Sequence, residues 1–479
     1  MLSMSGVSIK TIGSIIGPIS FLLILIAPTP TGLSEEGRIV LAIASWMIVW
    51  WVTEAISVYA TALLPLALLP MMGIMPLTDV ASEYMHPIVV LLLGMFLIAI
   101  SIEKSGLHRR IALMLISVFG YSPRRIVWGF MIATALLSMV VLSTTAVLVM
   151  LPIAQVITNV MRSSQTVVLG RDFTVALMLG IAYASSIGSV ATLVGAPPNL
   201  IFAGTVMKTF GYSVSFAEWS MLGAPLSFTM LAIAGLMLTR GLNVQGSYDT
   251  IRDVLRMEGG GAGWSRSQII VLLVLVIVLA LMFTSPYWLP ESSMITNSVI
   301  AIAGGISLFV IPHGRRERIL DWAEVEKMPF GILFLLGGGL ALSLSFINSG
   351  LAMWLAEVLS FIGILPYELV MMLLVALIMS VSNIKSNTAT AAVFIPVVTN
   401  MVLLNAWPPL PILFAVTVAS SLAFLLPMGT PPNALVYERG RVSIGEMFRK
   451  GIVLNAIAIG LIVLFVTTLG TLVLPRLEP

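Results

Sequence analysis

Two five-residue strings, GAPPN at 195–199 and GTPPN at 429–433, each interrupt a long apolar segment of this 479-residue chain. Their paired prolines lack backbone N–H groups and cannot continue a helix, so each string frees backbone polar groups within apolar sequence. Irregular backbone at membrane depth is tolerated only where it is buried in protein or lines a cavity. Interrupted apolar segments at matching places in two halves are typical of the binding site of a secondary transporter.

The composition places the chain in a membrane. Hydrophobic residues make up 59% of it, charged residues only 9%, and the mean hydropathy is +1.08, whereas a soluble protein carries far more charge. The N-terminal residues carry one lysine, Lys10, before an apolar run and have no small-residue cleavage site, so we expect a retained first helix. The chain has no cysteine and three scattered histidines, which makes an enzyme a poor interpretation.

The distribution of basic residues predicts the topology. Eleven apolar stretches approach the ~20 residues of a membrane helix, and two more, 124–161 and 366–404, carry polar clusters in their middles. If these two fold back as re-entrant hairpins, 20 of the 24 lysines and arginines fall on one side, as expected of cytoplasmic loops. The exceptions are Arg38, Lys208 and Arg476 outside, and Lys385 within the second hairpin.

We therefore predict an all-α polytopic protein of the inner membrane, with about eleven transmembrane helices plus two re-entrant hairpins. The N-terminus would be cytoplasmic and the C-terminus external. The basic pI of about 9.2 reflects the cytoplasmic loops and implies no nucleic-acid partner.

The two halves of the chain form a repeat. A shift of 244 residues aligns Gly94 with Gly338, Ser105-Gly106-Leu107 with Ser349-Gly350-Leu351, Ser138 with Ser382, and Pro152 with Pro396. The proline strings align at a shift of 234, because the loop after the first hairpin is longer. The hairpins would enter from opposite sides, which is an inverted repeat. The predicted parts are N-terminal scaffold helices at 1–85, a first repeat at 86–240, a connecting loop and scaffold helices at 241–328, and a second repeat at 329–479.

The polar clusters predict an anion site. In SNIKSNTATAAVFIP at 382–396, the residues Ser386, Asn387 and Thr388 would lie at a hairpin tip, where the free amides of a helix N-terminus favour an anion. Such residues are ordinary caps in soluble proteins, but polar groups inside a membrane span tend to be functional. The predicted contacts are Ser143, Thr144, Thr145, Pro198, Asn199, Ser386, Asn387, Thr388, Thr430, Pro432 and Asn433.

Lys385 is the single basic residue that this topology leaves inside the apolar zone. Its side chain could extend to the outer interface and have no role in binding. Alternatively, it is a fixed positive charge near the anion that replaces or competes with a bound cation.

The chain resembles the divalent anion/sodium symporter family, the di- and tricarboxylate transporters, over nearly its whole length. The similarity rests on WWVTEAISVYATALLPLALLPMMGI at 50–74, IEKSGLHRRIAL at 102–113, LFLLGGGLALSLSFINSGLA at 333–352, SNTAT at 386–390 and both xPPN strings. It implies a homodimer whose protomers each have a scaffold part and a mobile part that moves the substrate by an elevator-like shift. It also implies a sodium site at each tip: Ser138, Ser143 and the Gly188 backbone at the first, and Ser382, Asn387 and the backbone near Lys385 and Ala419 at the second.

The resemblance implies a secondary active transporter of small organic anions such as succinate, malate or citrate. Three departures from the family pattern, Leu142, Ser143 and Lys385, leave sodium symport and anion exchange both open and slightly favour exchange. The alternatives are a transporter of sulfate or another inorganic oxyanion, or a passive anion channel. The expected partners of the chain are the anionic substrate and the lipid bilayer. We expect no cofactor other than Na⁺ as a coupling ion.

Overall fold

The fold is that of a computed structural model, which describes residues 9–120, 122–163, 171–242, 263–289, 294–312, 318–358, 365–440 and 442–475. Within these ranges the secondary structure is helical. The α-helices are Ile9–Ile26, Glu35–Thr53, Val58–Thr61, Leu64–Met71, Leu77–Tyr84, Pro87–Ser105, Leu107–Phe119, Pro123–Ser138, Ser143–Ser163, Arg171–Val190, Pro197–Phe210, Phe216–Thr239, Arg266–Trp288, Asn297–Val310, Trp322–Val325, Phe330–Asn348, Leu351–Val358, Tyr367–Ser382, Asn387–Leu404, Pro409–Ser421, Pro431–Gly440, Ile444–Phe465 and Thr471–Val473. A 3₁₀ turn lies at Pro427–Gly429 and a π-helical turn at Val466–Gly470.

Eight helices in the described part of the chain are long and apolar enough to cross a membrane. They identify a multi-pass membrane protein and confirm the all-α prediction. Other predicted spans are built from shorter helices. The stretch at 57–75, for example, consists of Val58–Thr61 and Leu64–Met71. The count of eleven spans therefore stays a prediction.

Burial differs sharply between helices and separates the core from the periphery. The window Asp172–Val190 is wholly buried, whereas Ile9–Ile26 is only 17% buried and Arg266–Trp288 only 28%. Every residue of Pro409–Ser421 is also buried. An apolar helix with most of its surface exposed is expected to face lipid. The two buried helices, which precede the proline strings, instead lie in the middle of the protein.

The helix boundaries repeat at the two predicted shifts. Pro123–Ser138 and Tyr367–Ser382 have 16 residues each and begin 244 positions apart. Ser143–Ser163 and Asn387–Leu404 also begin 244 positions apart. Pro197–Phe210 and Pro431–Gly440 begin 234 positions apart. The internal repeat is therefore present in the structure, while the opposite membrane orientation of its halves stays a prediction.

Each predicted hairpin consists of two helices separated by four residues, at 139–142 and at 383–386. The first arms, Pro123–Ser138 and Tyr367–Ser382, pack on the buried helices Arg171–Val190 and Pro409–Ser421, respectively. Close packing in the first half needs Gly188, because a Cβ atom there would overlap the backbone of Ala135. This packing brings both four-residue breaks next to the proline strings.

Candidate functional site

Both hairpin breaks and both proline strings meet at one cavity of about 170 Å³, which we call the inner cavity. It is lined by Val58, Tyr59, Leu142, Ser143, Thr144, Ser186, Ser189, Ala196, Pro197, Pro198, Ile332, Leu335, Ser386, Asn387, Thr388, Ser421, Thr430, Pro431 and Pro432. Of the predicted anion contacts, Ser143, Thr144, Pro198, Ser386, Asn387, Thr388, Thr430 and Pro432 therefore come together.

Four helices begin at the wall of the inner cavity. Their first residues are Ser143, Asn387, Pro197 and Pro431. A helix N-terminus carries a partial positive charge, and its first amides have no partner within the helix. The prolines have no amide hydrogen, so the free donors belong to the two hairpin helices.

The described lining includes no lysine or arginine. An anion in the inner cavity would therefore be stabilised by helix dipoles, amides and hydroxyl groups.

Two equivalent asparagines bridge the proline strings. Asn199 Nδ2 donates to the carbonyl oxygens of Ser189 and Thr192, at 3.1 and 2.8 Å. Asn433 Nδ2 donates to those of Ala423 and Leu426, at 3.0 and 3.1 Å. All three positions of each set are related by the shift of 234. The carbonyls of Thr192 and Leu426 also accept backbone N–H groups, from Gly195 and Gly429. Each asparagine amide therefore adds a donor at the unwound backbone, where buried carbonyls need partners.

Neither Asn199 nor Asn433 is among the described residues that line the inner cavity, and both side chains are fully buried. Their predicted contact with substrate stays a prediction. The hydrogen bonds instead indicate that they hold the shape of the cavity wall.

The second hairpin tip is held to the neighbouring helix by crowded oxygen atoms. Ser382 Oγ lies 2.5 Å from the Ser420 carbonyl oxygen and 2.7 Å from Asn387 Oδ1. Asn387 Nδ2 donates to the carbonyl oxygen of Ser421 at 3.1 Å. The Ser382 hydroxyl has a single proton and faces two acceptors. One of its short oxygen–oxygen contacts therefore has no proton, a situation that a bound cation would relieve.

The first hairpin tip has fewer such contacts. Ser138 Oγ donates to the carbonyl oxygen of Ser185 at 2.6 Å, and Thr192 Oγ1 donates to that of Met139 at 2.5 Å. Ser143 occupies the position equivalent to Asn387 and brings one hydroxyl in place of an amide. The two tips are therefore chemically unequal, as the sequence predicts.

A larger cavity of about 680 Å³ adjoins the inner one. We call it the outer cavity, a name that does not refer to the external side of the membrane. The two share Tyr59, Leu142, Thr144 and Ile332. The outer cavity also reaches Thr145, Glu103, Lys104, Glu324 and Lys327, so Thr145 faces this cavity rather than the inner one.

Lys104 Nζ lies 3.1 Å from the Glu324 carboxylate and 3.4 Å from that of Asp321. Partial desolvation acts to raise the pKa of Glu324, but hydrogen bonds from Lys104 and the Asp321 amide outweigh it and leave that pKa below its usual value. The positive charge of Lys104 is thus largely neutralised by acidic neighbours.

Lys385 lies in the second break, half-buried, with its backbone N–H bonded to the Val381 carbonyl oxygen at 2.9 Å. It is not among the described residues on the wall of the inner cavity. Lys385 is therefore next in sequence to the lining residue Ser386 and is not itself part of the described wall.

Some lining residues were not predicted from the sequence. Ser186, Ser189 and Ser421 belong to the buried helices before the proline strings, and hydroxyl groups inside apolar spans were the signal for them. Tyr59, Ile332 and Leu335 form an apolar side of the cavity. Apolar residues carry no such signal in a chain that is 59% hydrophobic.

The family model of the sodium:sulfate symporter transmembrane region matches residues 10–474. The sodium-dependent dicarboxylate transporter SdcS of Staphylococcus saprophyticus is 37% identical over 472 residues, covering 95% of this chain and 91% of that protein. SdcS of Staphylococcus aureus strain USA300 is 36% identical over 480 residues, covering 95% and 90%.

Two solved structures share the fold at low sequence identity. The YdaH transporter of Alcanivorax borkumensis superposes with a TM-score of 0.58 at 17% identity, covering 84% of this chain and 89% of that one. MtrF of Neisseria gonorrhoeae, described as illuminating a class of antimetabolite efflux pumps, gives a TM-score of 0.60 at 15% identity, covering 97% and 95%. At such identities the similarity concerns the fold alone.

Proposed function

Because the chain belongs to the sodium:sulfate symporter family, the divalent anion/sodium symporters indicated by its motifs, we propose that it is a secondary active transporter of small dicarboxylates. The observation that carries this proposal is the convergence of four helix N-termini and two polar tips on one inner cavity. Each tip supplies free amides and hydroxyls for one carboxylate group. An anion with a carboxylate at each end therefore matches both tips at once.

The relatives support the class of substrate. Proteins 36–37% identical over most of this chain carry the name sodium-dependent dicarboxylate transporter. Succinate and malate are dicarboxylates and so belong to this class of substrate. A tricarboxylate such as citrate needs room for a third carboxylate group. Sulfate is smaller and carries its charge on one centre rather than on a carboxylate at each end.

Sodium is the proposed coupling ion and is carried with the anion. At the second tip, Ser382, Asn387 and the backbone near Lys385 and Ala419 would hold it, and the unprotonated oxygen contact of Ser382 supports this assignment. At the first tip, Ser138, Ser143 and the Gly188 backbone would hold another ion. Carbonyls of broken helices and nearby side-chain oxygens are the usual ligands of sodium in transporters.

Anion exchange is the second candidate mechanism, and Lys385 favours it. Its ammonium lies one residue from Ser386 and could supply the positive charge that sodium would otherwise bring. The Lys385→Ala variant separates the two mechanisms. Unchanged transport and unchanged ion dependence would mean that Lys385 has no part in either.

The movement follows from the two-part architecture. The two hairpins are re-entrant and enter from opposite faces of the membrane, and with the two broken helices they form a mobile part. The regions at 1–85 and 241–328 contribute the stationary scaffold. Each protomer of a homodimer moves its mobile part as a rigid body, in an elevator-like exchange between the two sides. The N-terminus is cytoplasmic and the C-terminus external, as the basic loops favour.

Ligand-dependent thermal unfolding of the purified protein tests the substrate class. A ligand that binds the folded state raises the unfolding temperature, and the rise increases with the logarithm of the ratio of ligand concentration to dissociation constant. At equal concentration in sodium buffer, succinate and malate are expected to stabilise the protein more than sulfate. Stabilisation by sulfate alone would favour the inorganic-anion alternative.

Saturable counterflow of labelled succinate would distinguish a carrier from a passive channel.

A further inference from the structure

A partly buried ion pair lies outside the described lining of the inner cavity. Lys208 Nζ and Glu83 Oε1 are 2.6 Å apart, and the Glu83 side chain is only 3% exposed. Lys208 is also one of the three basic residues that the predicted topology places on the external side. The second carboxylate oxygen of Glu83 has no hydrogen-bond partner within the described part of the chain. The pair thus holds a nearly dehydrated carboxylate through a single partner.

The two residues belong to different proposed parts. Glu83 lies in Leu77–Tyr84, which packs on Phe330–Asn348 and on Leu64–Met71, and it falls in the N-terminal scaffold. Lys208 lies near the end of Pro197–Phe210, whose first residues line the inner cavity. This helix continues from the first proline string and belongs to the mobile part.

The pair and the outer cavity lie at opposite ends of one helix. Helix Pro87–Ser105 begins just after Glu83 and carries Glu103 and Lys104 of the outer cavity near its other end. Its 19 residues span roughly 28 Å at ~1.5 Å per residue. The outer cavity therefore lies at the Lys104 end of this helix, and the Glu83–Lys208 ion pair lies beside its other end.

We propose that Glu83 and Lys208 are positioning residues for the transport step: their ion pair joins scaffold and mobile part in this end state and must break in each cycle. Removing one partner from a buried ion pair leaves an uncompensated charge, so the pair stabilises the arrangement in which the Glu83 and Lys208 side chains meet. When the mobile part shifts, the helices separate and water reaches both groups. This inference rests on the proposed two-part transport mechanism.

Cross-linking tests whether the two helices separate. The chain has no cysteine, so a Glu83→Cys/Lys208→Cys variant can be bridged selectively with a cleavable bis-methanethiosulfonate reagent. The bridged protein in proteoliposomes is expected to lose succinate uptake by about tenfold or more, because a blocked conformational step limits turnover. It should still be stabilised thermally by succinate, and a reductant should restore uptake.

The matched control joins two helices that we expect to move together. Ser20 and Ser45 lie on Ile9–Ile26 and Glu35–Thr53, with their hydroxyl oxygens 3.2 Å apart. A bridged Ser20→Cys/Ser45→Cys variant should transport as before. Full transport by the bridged Glu83→Cys/Lys208→Cys protein would overturn the inference, whereas absence of transport in the unmodified chain would count against the proposed function itself.

If the Glu83→Cys/Lys208→Cys variant is inactive before it is bridged, charge-reversal variants test the role of the ion pair instead. Glu83→Lys/Lys208→Glu restores an ion pair and is expected to transport clearly faster than either single reversal, because each single reversal places two like charges together. Equal rates in the three variants would contradict a role for the pair.

Discussion

At the scale of single residues, the hydroxyls and amides at the hairpin tips are the proposed recognition groups. Thr388 lines the inner cavity, whereas Thr390 lies two positions further along the same helix, buried and without a hydrogen bond for its hydroxyl in the described part of the chain. The two threonines differ in whether they face the cavity. They therefore offer a matched pair of substitutions.

Thr388→Ala is expected to weaken succinate binding by about ten- to hundredfold, because a hydrogen bond to a charged group contributes ~1.5–3 kcal/mol. Thr390→Ala should leave the affinity nearly unchanged. Binding is measured from the shift in unfolding temperature across a succinate titration. Equal affinity loss in both variants would contradict a direct contact from Thr388.

Asn433 has a structural task that follows from its two hydrogen bonds. Asn433→Ala removes the side-chain donor from the carbonyls of Ala423 and Leu426. The Leu426 carbonyl keeps the Gly429 N–H as a donor, whereas the Ala423 carbonyl is left unsatisfied, and an unsatisfied buried group costs ~1–3 kcal/mol. We expect a clear fall in the unfolding temperature of the substrate-free protein. Asn405→Ala is the control, because this half-buried amide bonds a single carbonyl at a helix end. A fall of the same size in Asn405→Ala would argue against the bridging role.

Sequence patterns predicted the polar side of the inner cavity but not its apolar side. Ser386, Asn387 and Thr388 were identifiable because polar residues are rare in membrane spans. Tyr59 and Ile332 reach the cavity only through the packing of distant helices, and apolar residues of this kind occur throughout the chain. The bridging role of Asn199 and Asn433 depends on which carbonyls the unwound backbone frees. The sequence does not show the path of that backbone, so it does not predict this role.

At the scale of helices, the predicted boundaries are accurate where proline and polar residues specify them. The predicted hairpins at 124–161 and 366–404 correspond to helices that span 123–163 and 367–404. The predicted single span at 57–75 is instead two short helices, with Pro65 in the first turn of the second. Proline lacks a backbone N–H and its ring clashes with the preceding turn, so it begins a helix but does not continue one. Apolarity alone therefore overestimated the length of that helix.

Gly188 tests the packing between the first hairpin and its neighbouring helix. A methyl group at this position overlaps the Ala135 backbone, so Gly188→Ala is expected to displace the hairpin and to reduce both thermal stability and transport. Gly460 has nothing within 4 Å of an added Cβ atom. Gly460→Ala should be neutral or slightly stabilising, because alanine favours a helix over glycine. Equal behaviour of the two variants would contradict close packing at Gly188.

At the scale of the whole molecule, the arrangement resembles one end state of a carrier. The inner cavity adjoins the outer cavity at one end of Pro87–Ser105, and the Glu83–Lys208 pair lies at the other. The fold class and the family were predictable from composition, repeat and motifs. The side toward which the two cavities face was not predictable from the sequence, because it depends on how the two proposed parts are placed against each other.

The most direct test of sodium-coupled dicarboxylate transport is uptake of labelled succinate by proteoliposomes that contain no internal anion substrate. With an inward sodium gradient, we expect succinate to accumulate above its external concentration and uptake to saturate with substrate. Replacing sodium with choline should abolish accumulation. Uptake that is equal with and without sodium, or that requires a dicarboxylate inside the vesicles, would contradict the account.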